Sequence, residues 1–63
     1  MADYRREVEH LLKDHGCRFV RHGKGSHEIW ETSSGFRFTV PAKIRIRHTA
    51  NGILKDAGIS RKV

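Results

Sequence analysis

The residues with the clearest capacity for chemistry are the consecutive Gly25, Ser26 and His27, which follow another glycine at position 23. Glycines let the backbone approach a phosphate closely, and histidine is the side chain whose ordinary pKa lies nearest to neutral pH. RNA cleavage without a metal ion needs a group that removes a proton from the 2′-hydroxyl. His27 is therefore the candidate catalyst, with Gly25 and Ser26 beside the phosphate and Lys24 as a nearby positive charge.

The same residues, 23–27, also have the composition of an ordinary hairpin turn. In that interpretation His27 is a partly exposed strand residue that makes one hydrogen bond and has no chemical role. Gly-Ser-His is a short motif that occurs in many unrelated turns, so the spacing by itself favours the turn.

Positive charge dominates the composition, with 13 Lys and Arg against 7 Asp and Glu and a net charge of +6. This favours a polyanionic partner, and nucleic acid first, because Lys and Arg that neutralise phosphates release counterions. A membrane surface is a poorer match, since the first predicted helix mixes charges such as Arg5 and Glu9, which is typical of a solvated face with local ion pairs. Taken singly each basic residue is an ordinary surface charge, but as a group we predict phosphate contacts by Arg18, Arg21, Lys24, Arg37, Lys43, Arg45 and Arg47.

Apolar residues at helical spacing predict two helices, one near each end of the chain. The first covers 3–15, with Asp3 as its N-cap and Gly16 as its stop. The second runs from about Thr49 to a stop at Gly58.

Between the helices, short alternating segments separated by glycine-containing turns predict three strands, at 17–22, 27–32 and 36–40. Pro41 ends the third strand, and residues 43–47 alternate basic and apolar side chains as an extended segment would. Strands this short require both helices to share one face of the sheet, which leaves the other face open. We therefore predict a single α+β domain over 1–63, a two-layer fold in the order helix-strand-strand-strand-helix.

The aromatic residues raise the question of what fills the small core. Ile29 and Trp30 point to opposite faces of the second strand, so only one of them enters the core. We expect Ile29 inside and Trp30 on the open face, where a partner or a base could cover it. We expect Phe36 in the core and Cys17 to pack as a small hydrophobe.

The chain offers no clear site for a metal ion or cofactor. It has a single cysteine and no carboxylate cluster, and His22, His27 and Glu28 are not a recognised ligand set. Surface positions are expected for four other histidines, His10, His15, His22 and His48. One cysteine cannot form an intramolecular disulfide, and no apolar run reaches the length of a signal peptide or a spanning helix. We expect no cofactor, no membrane association and a cytoplasmic location.

Five short segments follow one another in order over nearly the whole chain, at 11–13, 16–21, 25–27, 39–41 and 53–60. Together they resemble the HicA toxin family. The resemblance implies an RNA-cleaving toxin of a HicAB toxin–antitoxin pair, with a fold similar to the double-stranded RNA-binding domain. It also implies that His27, in the Gly-Ser-His motif, is the catalytic residue. The implied partners are mRNA and a HicB-like antitoxin, which blocks the site in a hetero-oligomer.

The chain departs from the family pattern at 43–49, where a polar stretch with a Pro-Gly-Thr-like helix start is usual. There Arg45, Arg47 and His48 either replace family contacts or serve a different antitoxin surface.

Three functions follow from these observations. The first is a metal-independent endoribonuclease toxin, an mRNA interferase that acts through His27. The second is a non-catalytic double-stranded RNA-binding module, which the fold and charge allow equally. The third is a structural interaction protein that uses Trp30 and the open face. Cyclising RNA cleavage benefits from a second proton-transfer group, and the sequence does not assign one.

Overall fold

The structure is a computed structural model that describes residues 3–63. Its elements are α1 (Arg5–Asp14), β1 (Arg18–His22), β2 (His27–Glu31), β3 (Arg37–Pro41) and α2 (Arg47–Asp56). The strands form one antiparallel sheet in the order β1-β2-β3, and residues of both helices pack with one face of it in a single core. This confirms the predicted α+β layout.

Alternation along the strands divides the sheet into a packed face and an open face. Trp30 of β2 and Phe38 and Val40 of β3 are buried on the packed face, in one cluster with Leu12 of α1 and Leu54 of α2. The core is therefore a single layer between the sheet and the helices, and the opposite face of the sheet is not covered by any element of the described chain.

The prediction for the middle strand was wrong, because Trp30 is only 2% exposed while Ile29 is half-buried on the open face. Trp30 pairs with Phe38 on one side and with Phe19 on the other, where the two rings meet edge to face at 6.2 Å. A buried indole N–H needs an acceptor, and Nε1 donates to Glu28 Oε1 at 3.0 Å. With that partner present, burying the larger ring removes more apolar surface from water than burying Ile29 would.

Phe36 was also expected in the core, and the structure contradicts this because its side chain is 56% exposed. It lies just before β3 and stacks on Phe38, with ring centroids 6.4 Å apart. Phe38 occupies the core position at this end of the sheet, so Phe36 covers only the outer side of that ring.

The start of α1 differs slightly from the prediction, since Tyr4 rather than Asp3 is its N-cap. The Asp3 carboxylate still accepts hydrogen bonds from the backbone N–H groups of Arg5 at 3.0 Å and Ile44 at 3.3 Å. These bonds, the Arg5 bond most, lower the pKa of Asp3. Asp3 thus joins the helix start to a distant loop.

Within that loop, residues 43–46 belong to no strand, and Ile46 has the extended φ and ψ expected of this segment. Ile44 is buried, and its carbonyl accepts a hydrogen bond from the Tyr4 N–H at 2.7 Å. This contact holds the loop against the start of α1. Helix α2 begins at Arg47, two residues earlier than the expected start at Thr49.

Both helices end on the same sequence pattern, Leu-Lys-Asp-X-Gly, and on the same hydrogen bonds. The final glycines, Gly16 and Gly58, have φ values of 83° and 78°. The residues that follow, Cys17 and Ile59, each donate a backbone N–H to the carbonyl of the leucine five positions earlier, at 2.9 Å. This is the Schellman motif, and both of these following side chains are buried. The predicted helix stops are confirmed, and burial raises the pKa of the Cys17 thiol.

The Gly58→Ala variant is expected to lose about 1 to 2 kcal/mol of unfolding free energy, because an L-residue is strained in this left-handed conformation. Gly52→Ala, inside α2, is the matched control and is expected to gain about 0.5 to 1 kcal/mol from the helix propensity of alanine. A new Cβ meets open space at both positions, so only the backbone differs. Urea unfolding measures both values, and equal effects would contradict the assigned conformation of Gly58.

Both helices run in the same direction along the sheet. Arg5, at the start of α1, donates to the carbonyl of Pro41, the last residue of β3, and α2 begins shortly after it. Ser33, in the β2–β3 turn, lies against Gly16 at the other end of α1. We call the first end, marked by Arg5 and Pro41, the N-end and the second, marked by Ser33 and Gly16, the C-end, because they carry the helix N-termini and C-termini respectively.

Candidate functional site on the open face

His27 lies at the N-end, exposed at the start of β2 after a tight turn. Its backbone N–H donates to the Lys24 carbonyl at 3.2 Å. Gly25 has a φ of 65° whereas Ser26 has a negative φ, the pattern of a type II′ turn with glycine in its required position. The Ser26 carbonyl also accepts from the Ala42 N–H at 2.9 Å. The predicted turn is therefore present, and hydrogen bonds on both sides hold it.

The imidazole of His27 has a defined orientation. Its Nδ1 lies 3.2 Å from the Lys24 carbonyl oxygen, and a carbonyl can only accept, so Nδ1 carries a proton. In the neutral ring Nε2 is then the unprotonated nitrogen, and it has no hydrogen-bond partner within residues 3–63. This tautomer leaves Nε2 free to act as a general base.

Pro41 is the cross-strand partner of His27. The Ala42 to Ser26 hydrogen bond lies one residue further along, so His27 and Pro41 form a non-hydrogen-bonded pair, in which side chains are close. At such a position on an edge strand the missing proline N–H costs no hydrogen bond to β2. Pro41 thus gives His27 an apolar neighbour without interrupting the sheet.

A bulge in β1 determines which arginines share the open face with His27. The register between β1 and β2 shifts between Phe19 and Arg21, which leaves Val20 unpaired. Arg21 therefore pairs with Ile29 on the open face instead of following Phe19 to the packed face. Its guanidinium is exposed on the side of the sheet that His27 occupies.

Arg18 and Arg37 share that face but lie at its C-end, held by Glu31. Arg18 Nη2 is 2.7 Å from Glu31 Oε1, and Arg37 Nε is 3.3 Å from Oε2. These hydrogen bonds, the Arg18 one most, lower the pKa of Glu31. Glu31 lies four positions after His27 along β2, a distance of roughly 13 Å. The structure therefore does not bring Arg37, a predicted phosphate contact, beside the histidine.

The last three predicted contacts lie at the N-end, against α1. Lys43 and Arg45 are exposed in the loop before α2, and after the two backbone hydrogen bonds their charges also lower the pKa of Asp3. Arg47 begins α2, and its guanidinium carbon lies 5.9 Å from the centre of the Tyr4 ring. They share an end of the domain with His27 but are distributed around the start of α1.

Arg5 supports the site and was missed in the sequence, where it is indistinguishable from a solvated charge. Its side chain is only 15% exposed and donates to the Pro41 carbonyl at 2.9 Å, to Glu28 Oε1 at 2.6 Å and to Glu9 Oε1 at 3.0 Å. It therefore ties α1 to the residue opposite His27 and to the residue after it. The only feature of the sequence that could have drawn attention to Arg5 is its spacing of four from Glu9, and this spacing is typical of an ordinary ion pair on a helix surface.

Glu28 is expected to make stability depend on acid pH. Burial alone raises its pKa, but hydrogen bonds from Trp30 and Arg5 outweigh burial, and the net pKa is lowered from its ordinary value of 4.5. A carboxyl with a lowered folded-state pKa stabilises fully above its unfolded pKa, and this stabilisation is lost as pH falls through the folded-state pKa. Glu28→Gln should lose about 1 to 3 kcal/mol at pH 7 and show a shallower decline below about pH 4.5.

Thermal unfolding between pH 7 and pH 3 measures this effect. Glu7→Gln is the control, because Glu7 is an exposed carboxyl of α1 with no ion pair inside the described chain. If Glu28→Gln declined as steeply as the unsubstituted protein, the Arg5–Glu28 contact would not be the cause.

Within residues 3–63, no group of three or more His, Cys, Asp or Glu side chains is arranged to hold a metal ion. His22 pairs with Glu28 towards the packed face, on the other side of the sheet from His27. No helix in this part of the chain is long and apolar enough to cross a membrane.

Fold and site together define a class of protein: a small basic α+β domain that presents a histidine at a glycine turn on an uncovered sheet face. The family model for the HicA toxin of bacterial toxin–antitoxin systems matches residues 5–59, which include all five elements, and the chain belongs to this family. Comparisons with curated proteins and with solved structures gave no match. Family membership gives the protein the role of a toxin and implies an antitoxin partner.

Proposed function

We propose that this toxin is a metal-independent endoribonuclease that cleaves mRNA, with His27 as its catalytic residue. The observation that carries the proposal is the hydrogen bond from His27 Nδ1 to the Lys24 carbonyl, which leaves Nε2 as a free base at the surface. The toxin family and the net charge of +6 support the substrate class.

In the proposed reaction, Nε2 takes the proton from a 2′-hydroxyl of the RNA. The 2′-oxygen then attacks the adjacent phosphorus, and the bond from phosphorus to the 5′-oxygen of the next nucleotide breaks. The products are a 2′,3′-cyclic phosphate and a 5′-hydroxyl, whose proton comes from the imidazolium or from water. No other side chain in the described part of the chain is hydrogen-bonded to the His27 ring, so a second proton-transfer group is not part of the proposal.

The phosphate would lie against the turn. Gly25 has nothing within 4 Å of the place where a Cβ would be, and the backbone N–H groups of Gly25 and Ser26 donate to no acceptor within residues 3–63. Lys24 precedes Gly25 in the turn, and Arg21 shares the open face with His27, so these two basic side chains are the proposed contacts to this phosphate. The N-termini of both helices add positive potential at the same end. Lys43, Arg45, Arg47 and Arg37 would contact phosphates further along the RNA.

We further propose that the antitoxin is HicB-like and that it covers the open face around His27 in a toxin–antitoxin hetero-oligomer. The charge of this face favours an acidic partner surface. Because mRNA is the proposed substrate, the toxin would act in the cytoplasm.

Incubation of the purified protein with labelled RNA in EDTA tests the proposal. New fragments with cyclic phosphate ends are expected from the unsubstituted protein and not from His27→Ala. Binding without fragments would instead identify a non-catalytic RNA-binding module, the alternative that the lone imidazole favours. The third hypothesis, a structural interaction protein that uses an exposed Trp30, is no longer supported, because Trp30 is buried.

A further inference from the structure

A second candidate site lies at the C-end, away from His27. It is an open depression of about 350 Å³ between the β2–β3 turn and the ends of both helices. The side chains that give it its chemical character are His15, Thr32, Ser33, Ser34, Phe36 and Asp56.

This depression differs in charge from three other depressions on the surface of the molecule, because within residues 3–63 its lining contains an acidic residue and no basic Lys or Arg. No Lys or Arg among the described residues lines it, although the chain has 13 of them, and three other surface depressions are each lined by three. The carboxylate of Asp56 forms no ion pair with any other residue of 3–63. Asp56 therefore lines the depression with a carboxylate that has no ion pair within the described chain, and no Lys or Arg of the lining is available to neutralise it.

The helices make the same place more negative. Both α1 and α2 end at the C-end, and a helix C-terminus carries a partial negative charge. This partial charge repels the carboxylate of Asp56, so Asp56 does not stabilise α2 through the helix dipole. A cation in the depression would be attracted by the carboxylate and by both helix ends.

The remaining lining suits a planar cation with several donors. The exposed ring of Phe36 offers one face to solvent, and aromatic faces attract guanidinium groups. His15 Nδ1 lies 2.9 Å from the Leu11 carbonyl, so Nδ1 donates and Nε2 of the neutral ring is an acceptor. The hydroxyls of Thr32 and Ser34 are hydrogen-bonded to each other at 2.9 Å, and Thr32 Oγ1 also accepts from the Phe36 N–H at 3.1 Å, so Ser34 Oγ is the freer hydroxyl acceptor.

We propose that this depression binds an arginine side chain of the antitoxin, so that the antitoxin contacts the toxin at both the N-end and the C-end. The inference rests on the antitoxin partnership of the family and not on ribonuclease activity. RNA is a poor occupant, because its phosphates would approach Asp56 and two helix C-termini. The antitoxin would present acidic groups to the N-end and this arginine to the C-end.

The test is a titration of the full-length ¹⁵N-labelled protein with N-acetyl-arginine amide, followed by NMR. Saturable shifts are expected for the backbone amides of 32–36 and 56–59. Asp56→Asn should weaken this binding at least fivefold. Asp14→Asn is the matched control, since Asp14 occupies the same place in the Leu-Lys-Asp-X-Gly end of α1 but does not line the depression, and its affinity should be unchanged.

Three results would overturn the proposal: equal shifts with the uncharged citrulline amide, undiminished arginine binding by Asp56→Asn, or saturable shifts of the same amides by adenosine monophosphate. RNA cleavage by Asp56→Asn is expected to equal that of the unsubstituted protein. Absence of cleavage in the unsubstituted protein would refute the ribonuclease proposal and leave the arginine site standing, so the two failures are distinguishable.

Discussion

His27→Ala is expected to lower the rate of RNA cleavage by about 10²- to 10⁴-fold, the contribution of a positioned proton-transfer group. The variant loses the only imidazole that the described structure places on the open face, and Nε2 with it. Initial rates on a labelled RNA in EDTA, with enzyme in excess over substrate, measure this loss directly. Because His27 is exposed, the unfolding temperature should hardly change.

His22→Ala is the matched control for this experiment. His22 ends β1 in the same hairpin but pairs with Glu28 on the other side of the sheet, so its removal should leave the cleavage rate unchanged. A substrate with a 2′-deoxy nucleotide at the cleaved position should resist the unsubstituted protein. Undiminished cleavage by His27→Ala would remove His27 from the mechanism, and equal losses in both variants would point to a structural effect.

Trp30→Ala is expected to destabilise the protein by about 3 to 5 kcal/mol, the usual cost of deleting a large buried aromatic side chain. A 63-residue domain has a total stability of only about 3 to 9 kcal/mol, so the variant should be largely unfolded or close to it. The substitution also removes the N–H that donates to Glu28, next to the Arg5 contact. Urea unfolding followed by circular dichroism measures the change.

Ile29→Ala is the matched control for Trp30→Ala, because it truncates a side chain on the same strand but on the opposite face of the sheet. Ile29 is the neighbour of Trp30 on β2 but lies half-buried on the open face, so its truncation should cost about 1 kcal/mol. A larger cost for Ile29→Ala than for Trp30→Ala would mean that the middle strand faces the opposite way. The pair therefore tests the register on which the position of His27 also depends.

The element order and the helix ends were predictable because their causes are local. Gly16 and Gly58 adopt left-handed conformations that other residues avoid, and helical spacing of apolar residues marks the faces that pack. The turn before His27 followed from Gly25 in the same way. The proposed catalytic role of His27 could not be predicted from local features: the residues alone favoured an ordinary turn, and the resemblance to the toxin family supplied the hypothesis.

By itself, then, the sequence determined the α+β class, the order of the elements and the glycine turn in front of His27. Only the tertiary structure decided which side chains lie on the packed face of the sheet and which lie on the open face. Trp30 is inside, where Glu28 accepts its N–H, and Arg21 is on the open face because β1 bulges at Val20. Arg5 supports the candidate site through its hydrogen bond to the carbonyl of Pro41, which is 36 positions away in the sequence. Such contacts depend on strand register and on partners distant in sequence, and period-2 alternation is the same for either choice of face.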